Sequence, residues 1–242
     1  MSRHEDIASA LTEVRARLDA ACRDAGRNPA EVALLPVTKF FPASDVRVLY
    51  DLGCREFGES REPEAGDKIA EFLSASDVVD PVHWHMIGRL QRNKARSVVR
   101  WADTVHSLDS VRLADALDSA VDAALGEGVR SAPLRALLQV SLDADPARGG
   151  VPIGELVALA DHVAGSSNLV LGGLMAVPPL GSDPDEAFGR LEAVHSDLLH
   201  SHPDATMLSA GMTGDLEAAV RHGSTCVRVG TAILGRRPIV SK

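Results

Sequence analysis

The chain has 242 residues, of which 45% are hydrophobic and 24% charged, and its formal net charge at pH 7 is −9. This composition is typical of a soluble globular protein and argues against disorder. The negative charge repels phosphates and no block of Lys and Arg offsets it, so we do not expect nucleic-acid binding. Residues 1–19 lack the apolar segment of a signal peptide, and no later stretch is long enough to cross a bilayer. We therefore expect a cytoplasmic protein with no membrane segment.

The chain begins with an amphipathic segment at residues 4–25, which has no strand before it. Its apolar residues Ile7, Leu11, Val14, Leu18 and Cys22 recur at helical spacing. We predict a helix here that caps or flanks the rest of the fold.

Short apolar runs with β-type residues then alternate with helical patterns to the end of the chain. The predicted strands are 32–38, 54–58, 82–88, 104–108, 134–142, 169–177, 206–209 and 226–230. The predicted helices are 44–52, 62–73, 90–101, 110–125, 153–163, 185–200 and 214–222. The stretches 145–152 and 178–184, rich in Gly and Pro, are interpreted as loops.

Unbroken alternation of strand and helix predicts right-handed parallel crossovers, and eight repeats close naturally into a barrel. We predict a single (β/α)8 TIM barrel domain over residues 1–242, because no linker divides the chain. An open doubly wound sheet is the alternative. The three scattered cysteines have no C-x-x-C spacing, so neither disulfides nor a thiolate metal site are expected.

Lys39 is one of only four lysines, and it directly follows the first predicted strand. Barrels place their chemistry at this end of a strand. An amine held at an apolar barrel mouth is partly desolvated and can condense with an aldehyde. A surface lysine that opens a loop fits this position equally well. Lys68 and Lys94 fall on predicted helix surfaces.

Two segments near the end of the chain could hold a phosphate. The first, SAGMTGD at residues 209–215, follows the predicted seventh strand, and the second, RVGT at residues 228–231, ends the eighth. Glycines permit close backbone approach, and hydroxyls and free N–H groups attract an anion. Either segment alone could be a turn. Together they predict a phosphate site, because loops after strands seven and eight commonly form one in barrels.

Seven strings in this chain, running in order over almost its whole length, resemble one known family, the pyridoxal phosphate homeostasis proteins. The strings are VTK at 37–39, FGE at 57–59, WHMIGRLQRNK at 84–94, HSLD at 106–109, GLM at 173–175, SAGM at 209–212 and GSTCVRVGTAILG at 223–235. The third and the last are long enough to be specific.

The resemblance implies a barrel similar to the N-terminal domain of alanine racemase, with pyridoxal 5′-phosphate (PLP) held as a Schiff base on Lys39. It implies that Arg228 faces the pyridine nitrogen. An arginine cannot lose its proton, so it would keep that nitrogen unprotonated and weaken the ring as an electron sink. The residues implied to surround the phosphate are Ser209, Gly211, Met212, Gly230 and Thr231. The chain has Ser60 and Ala210 where the family usually has Asn and Met, which leaves the ring contacts, Ser60 included, less defined.

The function implied is intracellular PLP homeostasis, meaning storage, protection and delivery of the cofactor, with PLP-dependent apo-enzymes as candidate recipients. We expect a monomer, because no additional dimerising domain is evident. No catalytic residue is assigned. Racemisation would need a second acid/base opposite Lys39. In alanine racemase a tyrosine from an additional domain supplies it, whereas this chain ends after its eighth strand and its only tyrosine, Tyr50, falls on a predicted helix.

Two enzymatic alternatives stay open. A low-efficiency PLP-dependent racemase or lyase could use His85 as its base, if that residue lies on an inward strand face. A metal-dependent hydrolase could use His83 and His85, which project to the same face of a strand. No third metal ligand is evident, so no metal site is predicted.

Overall fold

The computed structural model of the protein describes residues 2–75, 77–143, 145 and 149–236. Within them a parallel sheet runs in the order β1-β9-β8-β7-β5-β4-β3-β2, and β6 pairs with β5 off this path. The strands are β1 (Ala33–Pro36), β2 (Glu56–Glu59), β3 (His83–Met86), β4 (Thr104–Leu108), β5 (Leu134–Ser141), β6 (Val151–Pro152), β7 (Leu169–Met175), β8 (Met207–Ser209) and β9 (Cys226–Val229).

The helices lie outside this sheet. They are α1 (Arg3–Asp24), α2 (Ala43–Asp51), α3 (Glu64–Leu73), α4 (Ala95–Val98), α5 (Val111–Gly126), α6 (Leu156–Ala164), α7 (Pro184–Ser201), α8 (Leu216–Arg221) and α9 (Thr231–Leu234). Among the described residues, none of these helices is long and apolar enough to cross a membrane.

The barrel closes between its first two strands. Val37 forms a parallel bridge with Gly58, and the Thr38 N–H donates to the Gly58 carbonyl at 3.0 Å. The predicted (β/α)8 barrel is therefore confirmed, and the open doubly wound sheet is wrong.

The structure differs from the predicted elements at three places. The predicted loop 145–152 contains β6, which pairs along Val140 and Ser141 after Gly149 and Gly150 turn the backbone at φ of 72° and 99°; residues 146–148 of this loop lie outside the described residues. The predicted helix 90–101 is shorter than expected: it consists of a 3-10 turn followed by the single turn α4. Its apolar residues, such as Leu90 and Val98, nevertheless pack into the core. The last strand is followed by the one-turn helix α9.

Helix α1 takes the place of a full eighth barrel helix. It buries the predicted face of Ile7, Leu11, Val14, Leu18 and Cys22. It packs against α8, α2 and the one-turn helix α9, which follows the eighth barrel strand, β9. Since α9 has only four residues, α1 covers the sheet there and completes the outer apolar layer next to β9.

Replacing Leu11 of α1 by alanine tests this role. Leu11 is 1% exposed, so we expect Leu11→Ala to lower the free energy of unfolding by about 2–5 kcal/mol, the usual cost of such a core cavity. Urea unfolding followed by circular dichroism measures the loss. The control is Asp19→Ala on the exposed face of α1, which should change stability by less than about 0.5 kcal/mol. Equal effects of the two substitutions would show that α1 is not part of the cooperative core.

Candidate functional site

The predicted site residues all lie at the carboxyl end of the barrel. Lys39 follows β1 and Ser60 follows β2, while the others belong to β8, β9 and the segments after them: Ser209, Gly211, Met212, Arg228, Gly230 and Thr231. In the ring β1 stands between β2 and β9, and β8 is next to β9. The barrel therefore brings the two ends of the chain to one mouth.

Lys39 is exposed at this mouth. Its Nζ lies 5.9 Å from the centroid of the Phe40 ring, and the Arg61 guanidinium lies at the same distance from that ring. Phe40 itself has a φ of 69°, in the left-handed region. The three residues line a cleft of about 540 Å³ between the β1–α2 loop and α3. The expected desolvation of Lys39 is wrong, and its amine is instead open to an incoming molecule.

Lys68, expected on a helix surface, lies under this cleft. Its side chain is only 11% exposed, and its Nζ is 2.5 Å from Glu59 Oε1 and 2.8 Å from the Thr38 carbonyl. The Thr38 hydroxyl also donates to Glu59, at 2.5 Å. This buried ion pair ties α3 to the ends of β1 and β2 beside Lys39. The surface assignment of Lys68 is therefore wrong, and its ammonium is committed to Glu59.

Arg228 points into the barrel and is 5% exposed. Its Nη1 donates to Ser209 Oγ at 2.6 Å, and its Nη2 donates to the Ala176 carbonyl at 3.0 Å. Burial lowers the pKa of Arg228 from its usual value. A guanidinium nevertheless stays protonated in proteins, so a fixed positive charge stands inside the barrel.

Two buried histidines extend the contacts of Ser209 across the interior. Ser209 Oγ is 2.9 Å from His106 Nδ1, and His106 Nε2 is 2.9 Å from His85 Nδ1. Burial, with the nearby His83 and Arg135, lowers the pKa of His85 to about 4, and burial holds the pKa of His106 well below its usual range. Both rings are therefore neutral near pH 7. Sequence reasoning did not assign His106 to the site, although it stands in the HSLD string.

The segment after β8 approaches its neighbours closely. Gly211 has a φ of 92°, and a Cβ atom there would lie 2.6 Å from Ala219 Cβ, so only glycine fits. The Gly211 carbonyl accepts from the Arg228 N–H at 2.9 Å. The Met212 N–H donates to Asp215 Oδ1 at 2.6 Å. A phosphate that used this N–H would therefore compete with the Asp215 carboxylate.

Gly230 and Thr231 stand at the start of α9, opposite this segment. A Cβ atom on Gly230 would lie 3.1 Å from the Val37 carbonyl, so the glycine lets the ends of β9 and β1 meet. Two glycine-dependent backbone segments thus border the mouth next to a fixed cation. The backbone of these two segments and the Arg228 guanidinium fit a ligand that carries an oxyanion and a ring atom able to accept a hydrogen bond. The Ser209 hydroxyl, however, is committed to Arg228 and His106 rather than open to the mouth.

A second cavity of about 390 Å³ lies at the opposite, amino-terminal end of the barrel. Its titratable and charged lining residues are Glu56, His83, His85, Asp103, Arg130, Arg135 and Cys226. The two histidines do face one cavity, as their spacing predicts. Over the described part of the chain, no group of three His, Cys, Asp or Glu side chains is arranged to hold a metal ion. His85 instead uses one ring nitrogen for His106.

Comparison with known proteins places the chain in a family. The model of the alanine racemase N-terminal domain family matches residues 11–238. The pyridoxal phosphate homeostasis protein of Mycobacterium leprae is 52% identical over 240 residues, covering 96% of this chain and 93% of that protein. The chain belongs to the pyridoxal phosphate homeostasis protein family. A second relative with the same name, from Corynebacterium glutamicum, is 44% identical and covers 93% of this chain and 100% of its own length.

Solved structures support this family and its fold. PipY of Synechococcus elongatus, solved with PLP bound, has a TM-score of 0.79 at 33% identity. The match covers 95% of this chain and 100% of PipY. Alanine racemase from Corynebacterium glutamicum has a TM-score of 0.66 at 14% identity and covers 99% of this chain and 62% of its own. The racemase shows a shared barrel and nothing about activity.

The buried histidines predict how the stability of this family member depends on pH. Unfolded His85 binds a proton near pH 6.5, whereas folded His85 binds it only near pH 4. Between these values the unfolded state holds more protons, so the free energy of unfolding should fall as pH falls from 6.5 towards 4. In urea unfolding between pH 7.5 and 5, His85→Gln should show a shallower dependence than wild type. The exposed His4→Gln is the control and should match wild type; three equal slopes would contradict this account.

Proposed function

We propose that the protein binds PLP at the carboxyl-end mouth, as a Schiff base on Lys39, and serves intracellular PLP homeostasis by storing, protecting and delivering the cofactor. The observation that carries this proposal is an exposed lysine directly after β1 and a buried arginine on β9, the strand that pairs with β1. The names of the relatives and the PLP-bound PipY structure support it.

When bound, PLP supplies an aldehyde that condenses with an amine and a ring that can act as an electron sink. Lys39 is the lysine fitted for the aldehyde, because its amine is exposed while the nearby Lys68 is held by Glu59. The residues proposed to surround the phosphate are Ser209, Gly211, Met212, Gly230 and Thr231, with Ser60 beside the ring. Ser209 would contribute its backbone, because its hydroxyl is committed to Arg228 and His106. For Met212 to contribute its N–H, Asp215 must release it or share it.

Arg228 favours a protein that carries the cofactor over one that uses it in catalysis. A guanidinium can only donate hydrogen bonds, so a pyridine nitrogen opposite Arg228 remains an unprotonated acceptor. Such a ring stabilises a carbanion poorly, which suits storage and disfavours general amino-acid chemistry. A protein that presents a reactive aldehyde without using it is suited to delivering it.

The side chains that would serve a racemase are occupied elsewhere. The Tyr50 hydroxyl accepts from the backbone N–H groups of Val79 and Asp80, at 3.1 and 2.9 Å. His85 lines the cavity at the opposite end of the barrel. This arrangement supports a carrier with no catalytic residue. We further propose that it acts in the cytoplasm as a single-domain monomer and that PLP-dependent apo-enzymes receive the cofactor.

Trapping the Schiff base tests the assignment of Lys39. Borohydride reduction after incubation with PLP should fix the adduct on the peptide that contains Lys39, as read by mass spectrometry. Lys39→Arg should abolish the adduct and the visible absorbance of bound PLP, because arginine cannot form a Schiff base. Lys94→Arg, a partly exposed lysine in a 3-10 turn, is the matched control and should be labelled like wild type. Labelling of Lys68 or Lys94 in wild type would overturn the assignment.

Exchange of the α-proton tests the absence of catalysis. In deuterated water, alanine and serine incubated with the PLP-loaded protein should lose their α-proton no faster than with the same amount of free PLP. Proton NMR measures the loss. Exchange well above the free-cofactor rate would instead favour the low-efficiency racemase or lyase.

A further inference from the structure

Four side chains form a continuous line of hydrogen bonds through the barrel interior. The line runs from Arg228 to Ser209, then to His106, and from there to His85, with donor–acceptor distances of 2.6, 2.9 and 2.9 Å. The members come from β9, β8, β4 and β3; β9 and β8 are neighbours, as are β4 and β3, so the line crosses the barrel at the step from Ser209 to His106. All four residues are at least nine-tenths buried.

The guanidinium fixes the direction of the first hydrogen bond in this line. Arg228 can only donate, so Ser209 Oγ accepts from it and keeps one proton to donate, for which His106 Nδ1 lies 2.9 Å away. With that proton given to His106, the ring accepts on Nδ1 and carries its own proton on Nε2. That Nε2–H must donate to His85 Nδ1, which leaves the proton of neutral His85 on Nε2.

The line ends at the cavity on the amino-terminal side of the barrel, where Glu56 Oε2 lies 4.0 Å from His85 Nε2. Arg135 also faces this cavity, and Gly172 makes room for it, because a Cβ atom on Gly172 would lie 2.7 Å from Arg135 Cγ. The other charged or titratable groups that line this end are His83, Asp103, Arg130 and Cys226. Burial raises the pKa of the Cys226 thiol to about 11, so the thiol stays neutral, and it is a hydrogen-bond neighbour of the Ser209 side chain.

We propose that Ser209, His106 and His85 form a hydrogen-bond relay of one fixed polarity, which positions Arg228 at the cofactor mouth and ends at the Glu56 side of the opposite cavity. His106 and His85 are positioning residues, not catalytic ones, because they act on the ligand only through Arg228. The effect on the cofactor rests on the proposed function, whereas the polarity of the relay does not.

The relay also explains why its two histidines resist protonation. A proton added to His85 Nδ1 would face the Nε2–H of His106, which places two donors against each other. Relieving that clash would require His106 to move its proton to Nδ1. The proton on His106 Nδ1 would then face the Ser209 hydroxyl proton, and the Ser209 hydroxyl would need a new acceptor. The direction of the relay hydrogen bonds, together with burial, thus keeps both rings neutral.

The tautomers of the two histidines test the polarity directly. Nitrogen-15 NMR of the full chain without PLP should show His85 and His106 near pH 7 as neutral rings with a proton on Nε2 and none on Nδ1. His195 provides an internal reference, because its Nε2 lies 2.9 Å from the Ala205 carbonyl and must also carry a proton. A charged ring, or an Nδ1–H tautomer at either relay histidine, would overturn the proposal.

Two substitutions of His106 test whether the relay positions Arg228. In His106→Asn the amide oxygen can reach the place of Nδ1 and still accept from Ser209, whereas in His106→Gln the amide group stands near the place of Nε2. We expect His106→Asn to keep the PLP affinity and the absorption maximum of bound PLP close to wild type. We expect His106→Gln to weaken PLP binding by up to about tenfold, the upper end of the usual cost of a lost hydrogen bond between neutral groups, and to shift the maximum.

His195→Asn is the matched control, because His195 is also buried and hydrogen-bonded but lies on α7, away from the relay. It should reduce stability without changing the spectrum of bound PLP. Equal PLP affinity and spectra for His106→Asn and His106→Gln would overturn the positioning role. A wild-type protein that fails to bind PLP would refute the proposed function alone, since the NMR tautomers still decide the polarity.

Discussion

A guanidinium buried inside a barrel must be hydrogen-bonded, because it cannot escape its charge by losing a proton. Arg228 meets this requirement through Ser209 and the Ala176 carbonyl, and its backbone N–H holds Gly211 in the segment after β8. One residue thereby connects the barrel interior to the backbone at the mouth. This single cation fixes the direction of its bond to Ser209, and it would leave a pyridine nitrogen placed opposite it as a hydrogen-bond acceptor.

The mouth depends on contacts between the two ends of the chain. Closure of the barrel sets β1 beside β9, so that Lys39 follows the strand next to the one that carries Arg228, although 189 positions separate the two residues in sequence. Helix α1 supports the same region from outside. Arg17 donates to the Thr213 carbonyl at 2.7 Å, next to Met212, and Arg3 donates to the Leu234 carbonyl at 3.1 Å, at the end of α9. The replacement for the eighth helix thus anchors both segments proposed to hold the phosphate.

Local sequence patterns predicted most of the fold. Alternating strand and helix signals predicted the eight barrel strands and the buried face of α1, and the barrel rule then placed Lys39 and Arg228 at one mouth. What failed depended on partners that no local pattern reveals. Lys68 has a helix-surface pattern, yet Glu59 draws it under the cleft. His106 meets Ser209 across 103 positions, and its role is visible only once both point inward. The exposure of Lys39 likewise depends on how the following loop turns at Phe40.

The central claim is that the protein holds PLP with its pyridine nitrogen facing Arg228, so that the cofactor is kept rather than used. Nitrogen-15 NMR of PLP labelled at the ring nitrogen and bound to the full chain tests this most directly. The account predicts the chemical shift of an unprotonated pyridine nitrogen that accepts a hydrogen bond, at every pH at which the protein stays folded. The shift of a protonated pyridinium nitrogen near pH 7 would contradict it.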